Sequence, residues 1–225
     1  MPTDKSGIYY RLLTINDKND VIKSIANNFC IRDPLCKSLI LSEKDRYEYA
    51  TYVAMFLTDN KSLGAFDDDN DDQLCGVQIN SSSYFVPDID LEKYLLSVSQ
   101  KTQNLIRFDH FLQKEMMNKF CGNNYIGGYW ISVNAPYSGR GVGHQLVTRC
   151  MKWLTTNFRD FDSLVAVTTA PESKHITEKI GFKSTYEMKM SEYKDEKTGE
   201  RIFANAGVPF VYLMVKLRNV TNSNL

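Results

Sequence analysis

Apolar and polar positions change period several times along the chain, and each change marks an element. Residues 8–13 (Ile-Tyr-Tyr-Arg-Leu-Leu) have the length and composition of a strand. Val21, Ile22, Ile25 and Phe29 then recur at helical spacing behind Asn16 or Asp17 as a cap, and Asp33-Pro34 ends that helix. Tyr47, Ala50, Ala54 and Leu57 carry a second helix across 41–57. Residues 61–66 and 74–79 read as strands joined by the acidic run 67–72, hence a hairpin. From 88 to 120 the period is helical again, through Leu91, Leu95, Leu105, Phe108 and Leu112. Next come an apolar strand at 129–133, a glycine-rich turn and a helix to about 158. The near-continuous apolar run 163–168 is of the kind buried on both faces of a sheet. A short helix at 172–180 ends at Gly181, and 184–190 and 211–217 alternate like strands. Strand–helix–strand at the centre of this order predicts an α/β three-layer fold. The expectation is a single domain over 1–225, with a helical insertion at 84–120 and a frayed polar tail at 219–225.

Charge narrows the partners. Twenty-seven basic and 27 acidic residues cancel, so no overall field draws in nucleic acid or an anionic membrane. The five cysteines contain no Cys-x-x-Cys, which points to a reducing compartment and free thiols. No apolar leader and no run of about 18 apolar residues is present, so a cytoplasmic location is expected. His110, His144 and His175 lie far apart, and the acidic run has Asp72 and Gln78 where a calcium loop needs Gly and Glu, so no metal site is expected. The sequence gives no reading of the oligomeric state.

The chemistry is concentrated after residue 129. Gly139, Gly141 and Gly143 stand at alternate positions where a strand runs into a helix. Glycines there leave backbone N–H groups uncovered, and the helix adds unpaired N–H groups and the positive end of its dipole. This is an anion cradle, best suited to a phosphate or pyrophosphate. Gly143 is followed by His144-Gln145, so there is no P-loop Gly-Lys-Ser/Thr, and Leu146 stands where a dinucleotide fingerprint needs its last Gly.

Gly141-Val142-Gly143 resembles part of the coenzyme A pyrophosphate loop of the GNAT acetyltransferase superfamily, Gln/Arg-x-x-Gly-x-Gly/Ala, with Ser138 at the Gln/Arg position. The resemblance implies a GNAT-like three-layer fold, its central sheet mixed, mostly antiparallel and splayed at the coenzyme A site. It implies acetyl-CoA as cosubstrate. Ile131, Ser132 and Val133 would pair with the pantetheine arm, and Ser138, Gly139, Arg140, Gly141, Val142 and Gly143 would hold the pyrophosphate. Phe29-Cys-Ile-Arg-Asp-Pro-Leu35 resembles the Phe-x-x-Asp-Glu-Pro-Leu segment of insect and nematode arylalkylamine N-acetyltransferases. Glu178-Lys-Ile-Gly-Phe182 and Leu213-Met-Val-Lys216 are similar to that group's closing segments.

In that group the Glu before Pro-Leu is the catalytic base, which places Asp33 in that role here, one methylene shorter and suited to a water-mediated route. An Asp before proline is also what a helix cap or turn calls for. The group's two helix hydroxyls fall on Thr169 and Ser173, which can bond the thioester carbonyl or the departing thiolate. A Tyr that donates a proton in other GNAT enzymes is replaced by Thr177, which makes Ser173 the preferred donor. Ser173 is equally placed to cap N–H groups at its helix start. The implied activity is acetyl transfer to the primary amine of a small arylalkylamine by direct attack. The alternatives are another small amine, such as a polyamine or an amino acid derivative, and a non-catalytic acyl-CoA-binding protein.

Overall fold

The computed structural model describes residues 7–82, 89–117, 124–195 and 198–218. The expected tail at 219–225 and parts of the insertion (84–88 and 118–120) lie outside the described residues. Seven strands form one sheet: β1 (Ile8–Leu12), β2 (Leu63–Asp67), β3 (Gln73–Ser81), β4 (Tyr125–Val133), β5 (Ser163–Thr168), β6 (Lys183–Lys189) and β7 (Phe210–Leu217). Their order across the sheet is β1-β2-β3-β4-β5-β7-β6. Every neighbouring pair is antiparallel except β4 and β5, the mixed and mostly antiparallel arrangement expected.

Local signals set the helices. The first is capped upstream of the expected residues. Thr14 accepts from the Asn16 N–H at 3.3 Å, while Asp17 reaches back to the Thr14 N–H at 2.8 Å. Thr14 takes this place because its backbone is extended (φ −125°, ψ 174°), the geometry of a cap. After a tight turn, α1 (Lys18–Ser24) widens into a π turn (Ile25–Phe29) and ends in α2 (Cys30–Arg32). Proline then starts a helix that the periodicity did not show, α3 (Pro34–Ser38). Ser42 and Asp45 form a reciprocal cap for α4 (Glu43–Ala54). The insertion is two helices, α5 (Leu91–Leu96) and α6 (Gln100–Phe111), split where Ser99 caps the second by accepting from Thr102. The glycine turn leads into α7 (Val142–Asn157), and α8 (Pro171–Lys179) follows β5. No helix among the described residues is long and apolar enough to cross a membrane.

Strand alternation separates two cores. Val77, Ile79, Trp130, Val165 and Leu213 pack with residues of α1, α4 and α6 on one face. Tyr10, Ala65, Cys75, Ile126, Leu164 and Met214 pack with Leu146, Cys150 and Leu154 of α7 on the other. The sheet is therefore the middle of three layers.

One irregularity positions the site. β4 pairs with β5 only from Tyr125↔Ser163 to Gly128↔Ala166. Beyond Gly128, β4 stays on β3 (Trp130↔Ile79 to Val133↔Gly76), while Val167 and Thr168 stay on β7. The parting coincides with a bulge, since Ile79 faces Trp130 while the next residue, Asn80, faces Gly128, so the register steps past Tyr129. A bulge bends and twists its strand, which turns β4 away from its parallel neighbour. Gly127 leaves room for the Tyr129 ring, into which a Cβ at that position would run. The result is a notch in the middle of the sheet.

Candidate active site

A cavity of about 490 Å³ opens at this notch, and α2, α3, α6, β4, β5 and the start of α8 supply its walls. Asp33, Thr169 and Ser173 all line it, so the three residues nominated for chemistry meet although up to 140 positions separate them in sequence. Asp33 leaves α2 in an extended conformation (φ −60°, ψ 131°) and caps α3. Its Oδ1 accepts from the N–H groups of Leu35 at 2.9 Å and Cys36 at 3.0 Å. Its Oδ2 accepts from the Thr169 hydroxyl at 2.7 Å. Cap and site residue are therefore the same carboxylate, used on different oxygens. Only 8% of Asp33 is exposed. Burial pushes its carboxyl above the usual carboxylate range, against the downward pull of hydrogen bonds from Thr169, Cys36 and Leu35.

Thr169 points its hydroxyl at Asp33 and so orients the carboxylate. Ser173 sits one turn into α8, where its hydroxyl donates to the Ala170 carbonyl at 2.8 Å. Thr177 is buried and donates to carbonyls of Ser173 and Lys174 within its own helix. Cys36 also lines the cavity, but burial holds its thiol well above the ordinary range, and Cys30 and Asp33 push the same way. A thiol in that state is a poor nucleophile.

Ile131, Ser132 and Val133 form the β4 edge that faces the notch, and Gly143 borders it from α7. The glycine turn fits an anion. Gly139 (φ +76°) and Gly141 (φ +79°) are in the left-handed region, and a Cβ built on either meets nothing within 4 Å. The space over both glycines is therefore open. Gly141 precedes α7 without a side-chain cap, which leaves first-turn N–H groups directed at that space. Val142 is buried beneath it, and Arg140 lays its guanidinium over the Tyr137 ring at 5.1 Å. The open turn could hold a phosphate-type anion, and the β4 edge beside it borders the same notch.

Two cavity residues were not singled out from the sequence. Asp109, on α6, is 7% exposed and accepts from the Tyr49 hydroxyl at 2.8 Å; Tyr49 in turn accepts from Trp130 Nε1 at 2.9 Å. Burial pushes the Asp109 carboxyl well above the usual range, the charge of Asp33 adds to the rise, and the Tyr49 hydrogen bond opposes it. No cation among the described residues pairs with it. Its signal in the sequence is an acid on the apolar side of a helix, beside Leu105, Ile106 and Leu112. The second is Arg32, whose guanidinium reaches from α2 to Val133 and Ser138.

No family model matches the sequence, and no curated protein matches it. Solved structures do match. An arylalkylamine N-acetyltransferase from Aedes aegypti is 20% identical with a TM-score of 0.74, over 93% of this chain and 98% of that one. The C-terminal condensation domain of Ebony, solved with beta-alanyl-dopamine, is 15% identical with a TM-score of 0.78, over 94% and 99%. The Drosophila melanogaster polyamine N-acetyltransferase, which catalyses formation of N-acetylagmatine, is 10% identical with a TM-score of 0.73, over 94% and 100%. At such identities the likeness is one of fold, and the chain has the GNAT fold.

Proposed function

We propose that this protein is a cytoplasmic N-acetyltransferase that moves the acetyl group of acetyl-CoA to the primary amine of a small arylalkylamine by direct attack in a ternary complex. The observation that carries this reading is the buried Asp33 carboxylate, oriented by Thr169 at the notch beside an open glycine cradle.

An alkylamine with a pKa of about 10.4 arrives protonated and has no lone pair. Asp33 attracts the ammonium and takes a proton from it, directly or through one water. Oδ1 is held by two backbone N–H groups, so Oδ2 is the oxygen left to receive the proton. Burial raises its basicity towards the working pH, which suits a general base. The nitrogen then forms its bond to the thioester carbon as the carbon–sulfur bond breaks. Ser173 hands a proton to the departing sulfur once its hydroxyl turns from the Ala170 carbonyl, and the second proton, which the nitrogen sheds as the amide forms, restores the Ser173 hydroxyl. Burial disfavours the thiolate of Cys36, the form that would take an acetyl group first, which supports the direct route. Phe29, Tyr129 and Trp130 on the cavity wall favour an aryl group in the acceptor.

Asp109 favours a second reading, in which the amine carries another positive centre. The likeness to a polyamine N-acetyltransferase supports it equally well. A thiol-release assay with acetyl-CoA and tryptamine, dopamine or spermidine separates the cases. Faster release with the aromatic amines is expected; a preference for spermidine would select the second reading. No release with any amine, in a protein that binds coenzyme A, would leave only the acyl-CoA-binding alternative.

A further inference from the structure

Resting on the coenzyme A reading, we infer that Arg32 is a phosphate ligand of the site, supplying from α2 the cationic donor that the glycine turn lacks at its first position. Position 138 has little to offer an anion. Its side chain is a serine, and its N–H is engaged with the Ala135 carbonyl at 3.2 Å. Arg140, the basic residue within the turn, packs its guanidinium over Tyr137.

Arg32 fills this gap in space. Its Nε donates to the Asn28 carbonyl at 3.1 Å, Nη1 donates to Ser138 Oγ at 3.2 Å, and Nη2 donates to the Val133 carbonyl. Three bonds from three nitrogens fix the plane of the group. Two of the acceptors belong to the end of β4 and the start of the glycine turn. A guanidinium has five N–H groups, so each terminal nitrogen keeps one that no protein acceptor takes. These two remaining N–H groups are cationic donors of the kind a phosphate oxygen accepts. The scaffold beneath is braced independently, because Asn28 Oδ1 accepts from the Ala135 N–H at 3.0 Å and its Nδ2 donates to Asn134 Oδ1 at 3.0 Å. Arg32 therefore faces the turn without being needed to hold it. Its neighbour in sequence is Asp33, so one segment presents a cation to the cosubstrate and an anion to the amine.

Calorimetric titration tests this on the intact protein, with coenzyme A and with pantetheine, which lacks the pyrophosphate and nucleotide. Arg32→Met should weaken coenzyme A binding about tenfold in protein that remains folded, and change pantetheine binding far less, the freed Val133 carbonyl being its one link to that arm. Arg32→Lys should fall between, since lysine offers charge without the planar guanidinium. Adding Ser138→Arg to the Arg32→Met variant should recover most of the lost affinity, because it returns the cation to the turn. Unchanged coenzyme A affinity in Arg32→Met, or an equal loss for pantetheine, would overturn the role of Arg32 while leaving the coenzyme A reading intact. A wild-type protein that does not bind coenzyme A would overturn both.

Discussion

The two oxygens of Asp33 make different hydrogen bonds, and the difference can be read in a pH profile. Oδ1 is committed to the start of α3, whereas Oδ2 receives only Thr169. If Asp33 is the base, kcat/KM rises with pH as its carboxyl ionises, and the acid limb lies above the ordinary aspartate value of about 3.9 because burial raises the group. Thr169 lowers that value by donating to the ionised form. Thr169→Val should therefore move the limb to higher pH, and Asp33→Asn should remove it with a rate loss of about 10²–10⁴. Arg32, Lys37, Glu172 and Asp109 line the same cavity, so the limb is read against these variants and not from the wild type alone. A limb unmoved in Thr169→Val would detach it from the titration of Asp33. Asp33 was legible because Asp-Pro-Leu is a sequence pattern. Asp109 was not, since its neighbours were read for their apolar period and an acid within it has no motif. Arg32 escaped for another reason: Val133 and Ser138, its partners at the notch, are 101 and 106 positions away.

At the scale of elements, apolar period and turn residues recovered all seven strands and the main helices. Departures occurred where tertiary contacts override local pattern. The π turn at Ile25–Phe29 and the short α3 bring α1 and the cap carboxylate to the notch, and the bulge at Tyr129 opens the notch itself. None of these has a period. The glycine turn was legible because its residues are chosen for backbone shape. Gly141 has φ +79°, and the space where a Cβ would sit is empty of protein. Gly141→Val should therefore destabilise through backbone strain alone, by about 1–2 kcal/mol in a denaturant titration. Its side chain would also occupy the cradle, so coenzyme A affinity should fall by more than tenfold in protein that is still folded. Stability loss with affinity retained would show that the turn is a tight connection and no phosphate site.

At the scale of the molecule, two buried carboxylates in one cavity set stability against function. Asp109 is raised by burial and by Asp33, so its pKa in the folded protein exceeds that in the unfolded chain. The sign follows from linkage: the folded state binds the extra proton, so stability is greatest below the unfolded value of about 3.9 and falls as pH rises through the raised one. Asp109→Asn removes that loss and keeps an acceptor for Tyr49. It should melt at a higher temperature than the wild type at neutral pH and at the same temperature in acid. A second ammonium beside Asp109 would offset that penalty on binding. If the acceptor is a diamine, Asp109→Asn should raise its KM about tenfold or more and leave that of tryptamine nearly unchanged. If the acceptor is an arylalkylamine, the variant should gain stability with little change in either KM. Measuring the melting temperature and both KM values on one variant thus decides which amine the cavity was built to hold. A variant that loses stability at neutral pH would instead make Asp109 part of the framework that carries Tyr49 and Trp130.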